Sequence, residues 1–428
     1  MSARRLSDAA TKSIEAKINR STIDPENGIP GLVFSVLNRD GTPIFQHASG
    51  QVGLGSPDLM TLDTIFWMAS CTKTITGIAC MQLVEQGKLE LDSVEQVEKI
   101  LPELKTAKVL KEKGGGRYEL VDKKRGITLR MLLNHTDEIA GFGYTFFNTQ
   151  LNHYAQPIGL DEISGLRNDA LHTVLANQPG ERWEYGTNID WAGQMVVRVS
   201  GMSLEDYFQK HIFKPLGLEN ITFFPSEAMK RNLAYLHQRE NGKIRAIDHQ
   251  YRPPLIAKSQ DDRKGLFCSG GAGCFAKPTD YCELLLCLVN QGKHPRKNAR
   301  ILKPETVNEM YKNQIPEFPN FGRQFVPASK PNFTNAIPEL YPQPMEHEQG
   351  WGLTFMLTTH PTATGRGKNT ANWVGLPNLY WWADREKGVV GIMATQILPF
   401  SDSKVLGTMM EAEAGVYSTI AEQEVLLR

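Results

Sequence analysis

At 428 residues, with 41% hydrophobic and 22% charged side chains, the chain has an ordinary globular composition and is long enough for two lobes. Its 47 basic residues balance 47 acidic ones, so no bulk charge draws it to nucleic acid or to an anionic membrane. No apolar run reaches the ~18–20 residues of a membrane span. The N-terminal Met1-Ser2-Ala3-Arg4-Arg5 leads into an amphipathic pattern rather than the apolar core of a secretory signal, so a cytoplasmic protein is expected. The six cysteines, at 71, 80, 268, 274, 282 and 287, form no Cys-x-x-Cys and lie in mostly apolar surroundings, which points to buried thiols.

Leu6, Ala9, Ala10, Ile14 and Ile18 recur at helical spacing, predicting a first helix over 6–19. Segments 31–37 and 43–48 read as strands, and Asp40-Gly41 between them is a hairpin signal. A short apolar run, Ile65-Phe66-Trp67-Met68, feeds into Ser70. Lys73 follows three residues later, at the head of an apolar helix that ends near Gly87. Positions i and i+3 share a helix face, which puts a hydroxyl beside an amine. A serine hydroxyl is a weak nucleophile until a base lies within hydrogen-bond reach, and lysine is such a base only when neutral. The spacing alone is weak, since roughly one or two Ser-x-x-Lys arise by chance in a chain of this length. Ser401-Asp402-Ser403-Lys404 is a second instance, where the serine reads as the cap of a closing helix. The bland alternative at Ser70 is the same: an N-cap with an exposed Lys73. Cys71, as i+1, does not share the face of Ser70.

Residues 91–101 are predicted as a helix capped by Asp92 or Ser93, and the charged, glycine-containing 105–124 as a surface excursion. A short helix enters a turn at His135, which reads as a structural histidine rather than a general base. Aromatic residues crowd 141–154, either as core or as one wall of an apolar pocket. Residues 171–177 are predicted helical, with a turn at 178–180. Tyr185 then sits on a loop that runs into a helix over 195–200, and another helix covers 203–213. Segment 225–265 reads as polar and irregular. The glycine-rich 268–275 lacks the Gly-Lys-Ser/Thr of a phosphate loop and is expected to permit close backbone approach. The proline-rich 313–345 reads as an extended loop on the surface or over a cleft. Strand signals return at 350–357, 370–376, 378–383 and 389–395, before a last helix over about 403–422. Strands at both ends predict an α/β (α+β) fold: a sheet domain from 1–98 and 345–428, and a mostly helical domain from 99–344, with the active site between them.

Three signals therefore stand in order: Ser70-x-x-Lys73, Tyr185 at a helix entry, and Trp373-Val374-Gly375 on a late strand. This order resembles the serine β-lactamase superfamily, in particular the class C β-lactamases and related esterases. Ile127-Thr128-Leu129-Arg130-Met131-Leu132-Leu133-Asn134-His135-Thr136 is similar to a structural stretch of that family. Tyr185-Gly186-Thr187-Asn188 followed by Ile189-Asp190-Trp191-Ala192-Gly193 looks closest to the fungal lovastatin-pathway acyltransferases, transesterases of this fold. The likeness spans about residues 28 to 425 and is weakest at 225–265 and 295–345. It implies a β-lactamase/transpeptidase-like fold with Ser70 as nucleophile and Lys73 as its base. Tyr185 would be a second acid and base whose phenol pKa is lowered by Lys73. The oxyanion hole would be the backbone N–H groups of Ser70 and Leu376, and Tyr144, Asn188, Trp373 and Gly375 would contact substrate.

The departures from the family pattern bear on substrate. The antibiotic-hydrolysing members carry Lys-Thr-Gly or His-x-Gly where this chain has Trp373, an apolar plate that argues against β-lactam or D-alanyl peptide substrates. The family's asparagine role falls to Thr187 or Asn188, and Asp137-Glu138 stands where the family has Ser-Gly. The resulting expectation is an acyl-enzyme on Ser70, which passes an acyl group from a thioester or ester donor to the alcohol of a small molecule in secondary metabolism. The donor is expected on coenzyme A or an acyl carrier protein, and neither metal nor cofactor is implied. A carboxylesterase is the near rival, and a non-catalytic binding scaffold the distant one.

Overall fold

The computed structural model describes residues 5–135, 142–178, 182–340 and 342–426. Ser7 caps the first helix, α1 (Asp8–Thr22), by accepting from the Ala10 N–H at 3.2 Å. Two strands follow, β1 (Gly31–Asn38) and β2 (Pro43–Gly50), then α2 (Thr72–Glu85). The middle of the chain contributes α3 (Leu129–Asn134), α4 (Asn188–Ser200) and α5 (Pro278–Val289). The last part supplies five strands and a long helix: β3 (Gly350–Trp351), β4 (Met356–Thr358), β5 (Thr370–Gly375), β6 (Leu379–Asp384), β7 (Val389–Ala394) and α6 (Ser403–Leu426).

The strands join in one seven-stranded antiparallel sheet, ordered β3-β4-β5-β6-β7-β1-β2. The seam between the two ends of the chain is β1 on β7, with Val33 opposite Ala394 and Asn38 opposite Val389. Every residue of β1, β6 and β7 is buried. Successive side chains of a strand point to opposite faces, so strands buried throughout have both faces covered. Helix α5 packs on β7, β1 and β6, while α1 packs on β2 and on α6. Helix α2 packs against α4, which also contacts α3, so the elements carrying Ser70, His135 and Tyr185 meet in one helical layer. Among the described residues, no helix is long and apolar enough to cross a membrane.

Four local expectations change. The single strand over 350–357 is two strands, β3 and β4, turned back on each other through Gly352, whose N–H bonds the Phe355 carbonyl at 2.8 Å. The surface excursion over 105–124 is a hairpin, Lys108–Gly114 with Arg117–Asp122, closed by Gly115 and Gly116 at φ 63° and 71°. Residues 171–177 are not helical: Val174–Leu175 pairs in parallel with that hairpin, and β-branched neighbours suit the pairing. Within 225–265, Leu236–Glu240 and Lys243–Ile247 form a hairpin about Asn241-Gly242, both left-handed. The expectations at Thr136, Asp137, Glu138, Gly141, Pro179 and Gly180 lie outside the described residues.

Candidate active site

Ser70 stands in a single 3₁₀ turn, Ala69–Cys71, that runs straight into α2. Its neighbour Ala69 is held at a left-handed φ of 43°, a conformation that costs a residue with a side chain and persists only under firm support. Support comes from the glycine-rich turn behind it. The Met68 N–H bonds the Cys274 carbonyl at 2.9 Å, and the Trp67 indole N–H bonds the Ala272 carbonyl at 2.7 Å.

Lys73 lies one helical turn on and is fully buried. Its Nζ bonds Ser70 Oγ at 3.0 Å, the Tyr144 hydroxyl at 3.1 Å and the Gly271 carbonyl at 2.8 Å. Those three contacts use every donor of an ammonium. Burial pulls the Lys73 pKa down to about 7, against the opposing pull of Asp190 and Cys71. The Cys71 thiol is pushed up by burial and is itself fully covered, so it stays a thiol inside the core.

Tyr185 faces the same pair from the α4 side. Its hydroxyl accepts the indole N–H of Trp373 at 2.8 Å and is hydrogen-bonded to Ser70. The expected lowering of its pKa by Lys73 is not what the structure shows. Burial raises the phenol, and hydrogen bonds from Ser70 and Trp373 only partly offset this. The reason is placement, because Lys73 Nζ sits over the Tyr185 ring, 4.7 Å from its centre, and gives its N–H to Tyr144 instead. Tyr144 is also raised, by burial first. Both tyrosines are therefore neutral phenols. His135 caps α3 in a left-handed conformation (φ 54°), with its ring 4.7 Å from that of Tyr185. Burial, and then the Lys73 charge, hold its pKa well below the usual histidine range, so it is a neutral packing partner.

A cavity of about 490 Å³ opens on Ser70. Tyr144, Tyr185, Trp373 and Leu376 line it with Ser70. Trp373 is more than an apolar plate, since its N–H orients Tyr185 while its ring packs edge-on to Trp351 at 4.5 Å. Asn188 and Gly375 do not line the cavity. Asn188 is 1% exposed and accepts the Phe142 N–H at 3.2 Å, so it joins two backbones beneath the site. Thr187 is equally buried and also off the lining. A Cβ on Gly375 would approach the Met68 carbonyl to 2.8 Å, so β5 runs hard against the approach to Ser70 and places Leu376 beside it.

The aromatic segment proves to be wall as well as core: Phe146 and Phe147 line the cavity, while Phe142 packs on Trp191. Phe321, Phe325, Val326, Ile337 and Leu340 bring the proline-rich loop over the opening. Sequence reading missed one polar corner. Glu184 accepts from Asn148, Asn177 and Arg182, each at 3.1 Å, and holds Arg182 at the cavity wall. The signal available was only adjacency, because Arg182 and Glu184 flank Trp183 just before Tyr185.

Comparison with known proteins gives the family and the fold. Residues 19–415 match the Beta-lactamase family. The chain is 29% identical over 369 residues to monacolin J acid methylbutanoyltransferase of Aspergillus terreus, covering 84% of this chain and 83% of that one. It is 30% identical over 382 residues to lovastatin esterase of Penicillium rubens, covering 87% and 90%. A solved simvastatin synthase mutant from Aspergillus terreus superposes with a TM-score of 0.79 at 25% identity, covering 97% of this chain and 96% of that one. The chain belongs to the beta-lactamase family, as an enzyme of its acyltransferase and esterase type.

Proposed function

We propose that the protein is a serine acyltransferase that moves an acyl group from a thioester or ester donor to the alcohol of a small molecule through an acyl-enzyme on Ser70. The observation that carries this is the 3.0 Å contact between Ser70 Oγ and a fully buried Lys73 whose pKa falls to about 7. An amine in that state is neutral in a large fraction of molecules at neutral pH and can take the serine proton. Ser70 Oγ bonds to the acyl carbon as its proton passes to Lys73 Nζ. The carbonyl oxygen takes the negative charge, and the N–H groups of Ser70 and Leu376 receive it. The C–S or C–O bond to the leaving group then breaks, and that group leaves protonated. In the second half the acceptor hydroxyl gives its proton to neutral Lys73 Nζ as its oxygen bonds to the acyl carbon. The bond from that carbon to Ser70 Oγ breaks as the proton returns to Oγ. Tyr185, a neutral phenol steered by Trp373, passes protons as donor and relay rather than as a phenolate base.

The cavity supports an apolar acyl chain or ring system along Phe146, Phe147, Val326 and Phe400, with Arg182 available to an acidic group at the polar corner. That combination fits an acceptor of the kind named for the Aspergillus terreus relative, an acid. Hydrolysis is the second reading, favoured by the esterase relative at 30% identity. The deciding experiment supplies a short-chain acyl thioester with and without a hydroxy acid bearing an apolar body, and quantifies ester against free acid by mass spectrometry. Ester in excess over free acid supports transfer. Free acid alone replaces the transferase with an esterase, and neither product removes the proposal.

A further inference from the structure

One buried carboxylate is left over by this chemistry. Asp190, in the first turn of α4, is 2% exposed. Its Oδ1 accepts from the Ser269 hydroxyl at 2.6 Å and from the Gly271 N–H at 3.1 Å. Gly271 presents its carbonyl to Lys73 at 2.8 Å. The fit needs glycine, since a Cβ at position 271 would meet Asp190 Oδ2 at 2.4 Å. Ser269 Oγ also accepts the Ala272 N–H at 3.0 Å, and the Ala272 carbonyl is the acceptor that fixes Trp67 ahead of Ser70. One carboxylate therefore anchors the turn that bonds Lys73 and holds Trp67, three residues ahead of Ser70.

We infer that Asp190 is a positioning residue for acyl transfer: it clamps the 269–272 turn against Lys73 and supplies the negative charge that sets how tightly Lys73 holds its proton. It touches neither substrate nor reacting atoms. The groups facing Lys73 are Ser70 and Cys71 on its own segment, Tyr144, Tyr185, His135 at the end of α3, and Asp190 on α4. Burial keeps the thiol and both phenols protonated and the imidazole neutral. Burial also raises the Asp190 carboxyl, against the opposing effects of Lys73, Ser269 and Gly271. Among the described residues facing Lys73, that carboxyl is the one acid whose ordinary pKa lies below neutral pH, and Lys73, Ser269 and Gly271 each favour its charged form. A negative charge beside an ammonium favours the protonated form, so removing it lowers the pH at which Lys73 becomes a base.

The inference rests on the reading of Lys73 as base, so its test titrates Lys73 itself. Full-length protein carrying ¹³C-labelled lysine is followed by NMR against pH, with Lys73→Met identifying the resonance. Asp190→Asn keeps an oxygen for Ser269 and Gly271 and removes the charge. In that variant the Lys73 midpoint drops by about one pH unit, and the acid limb of acylation by p-nitrophenyl butyrate drops with it. Ser269→Ala keeps the charge and loosens the clamp. There the midpoint holds while acylation slows by about tenfold. A folded Asp190→Asn protein with an unmoved midpoint overturns the electrostatic role. If that variant does not fold, a folded Ser269→Ala protein acylating at the wild-type rate overturns the clamp. A moved midpoint without any wild-type acylation leaves the influence of Asp190 on Lys73 standing and removes the proposed function instead.

Discussion

The two ends of the cavity are built differently. At the Ser70 end, Lys73, Tyr144, Tyr185 and Trp373 are buried, and each polar head is bonded to another part of the protein. At the far end the wall is made by loop side chains, among them Phe325 at 63% exposure and Arg182 with 46% of its side chain exposed. A buried, fully bonded constellation has one geometry and shifted proton affinities, which is what bond-making needs. Exposed loop side chains can be exchanged at little cost to the fold, which is what a change of substrate needs. On the proposed function, chemistry and selection therefore occupy separate parts of one pocket.

The largest expected effect tests the buried end. Ser70→Ala lowers turnover of a chromogenic ester by at least about 10⁴-fold, without loss of helical circular dichroism. Next, Lys73→Met lowers acylation by about 10²- to 10⁴-fold. In the wild type the acylation rate rises with pH through about 7, because below that pH Lys73 is an ammonium with no lone pair for the serine proton. A rate that falls across that range contradicts the assignment of Lys73.

Trp373→Phe keeps a ring and removes the N–H that steers Tyr185. Losing that bond costs about 1 to 1.5 kcal/mol, or roughly tenfold in kcat, with KM little changed. An altered KM with an intact kcat would return Trp373 to the role of a plain apolar wall. The far end gives smaller and more selective effects. Arg182→Gln raises KM for an acidic acceptor by about tenfold and leaves a neutral ester unaffected, read from initial rates on the matched pair. Phe325→Ala changes either substrate by less than about threefold.

The same division governs what could be read before the fold was known. That Ser70 and Lys73 lie side by side was legible because an i, i+3 pair depends only on local helix geometry, while their roles came from the family resemblance. The hydrogen bond from Trp373 to Tyr185 joins residues 188 apart, and no local pattern encodes it. Burial, which only the whole fold supplies, sets the direction of the Tyr185 pKa, and Lys73 gives its N–H to Tyr144 rather than to Tyr185. Asn188 looked substrate-facing within its motif, yet helix entry turns it toward the Phe142 backbone. The antiparallel sheet built from both ends was legible in its short, continuous apolar runs near each end of the chain. Two hairpins were hidden in polar composition although Asn241-Gly242 and Gly115-Gly116 carried their turn chemistry openly. Strand Val174–Leu175 owes its extended form to a partner hairpin more than 60 residues upstream, beyond the reach of any window along the chain.

The most direct measurement of the central claim is the intact mass of wild-type and Ser70→Ala protein after mixing with a short-chain acyl thioester. The account predicts one acyl group on the wild type, located to the peptide carrying Ser70, absent from the variant, and discharged on adding an acceptor alcohol. The same adduct on both proteins, or an adduct mapped to another residue, would contradict it.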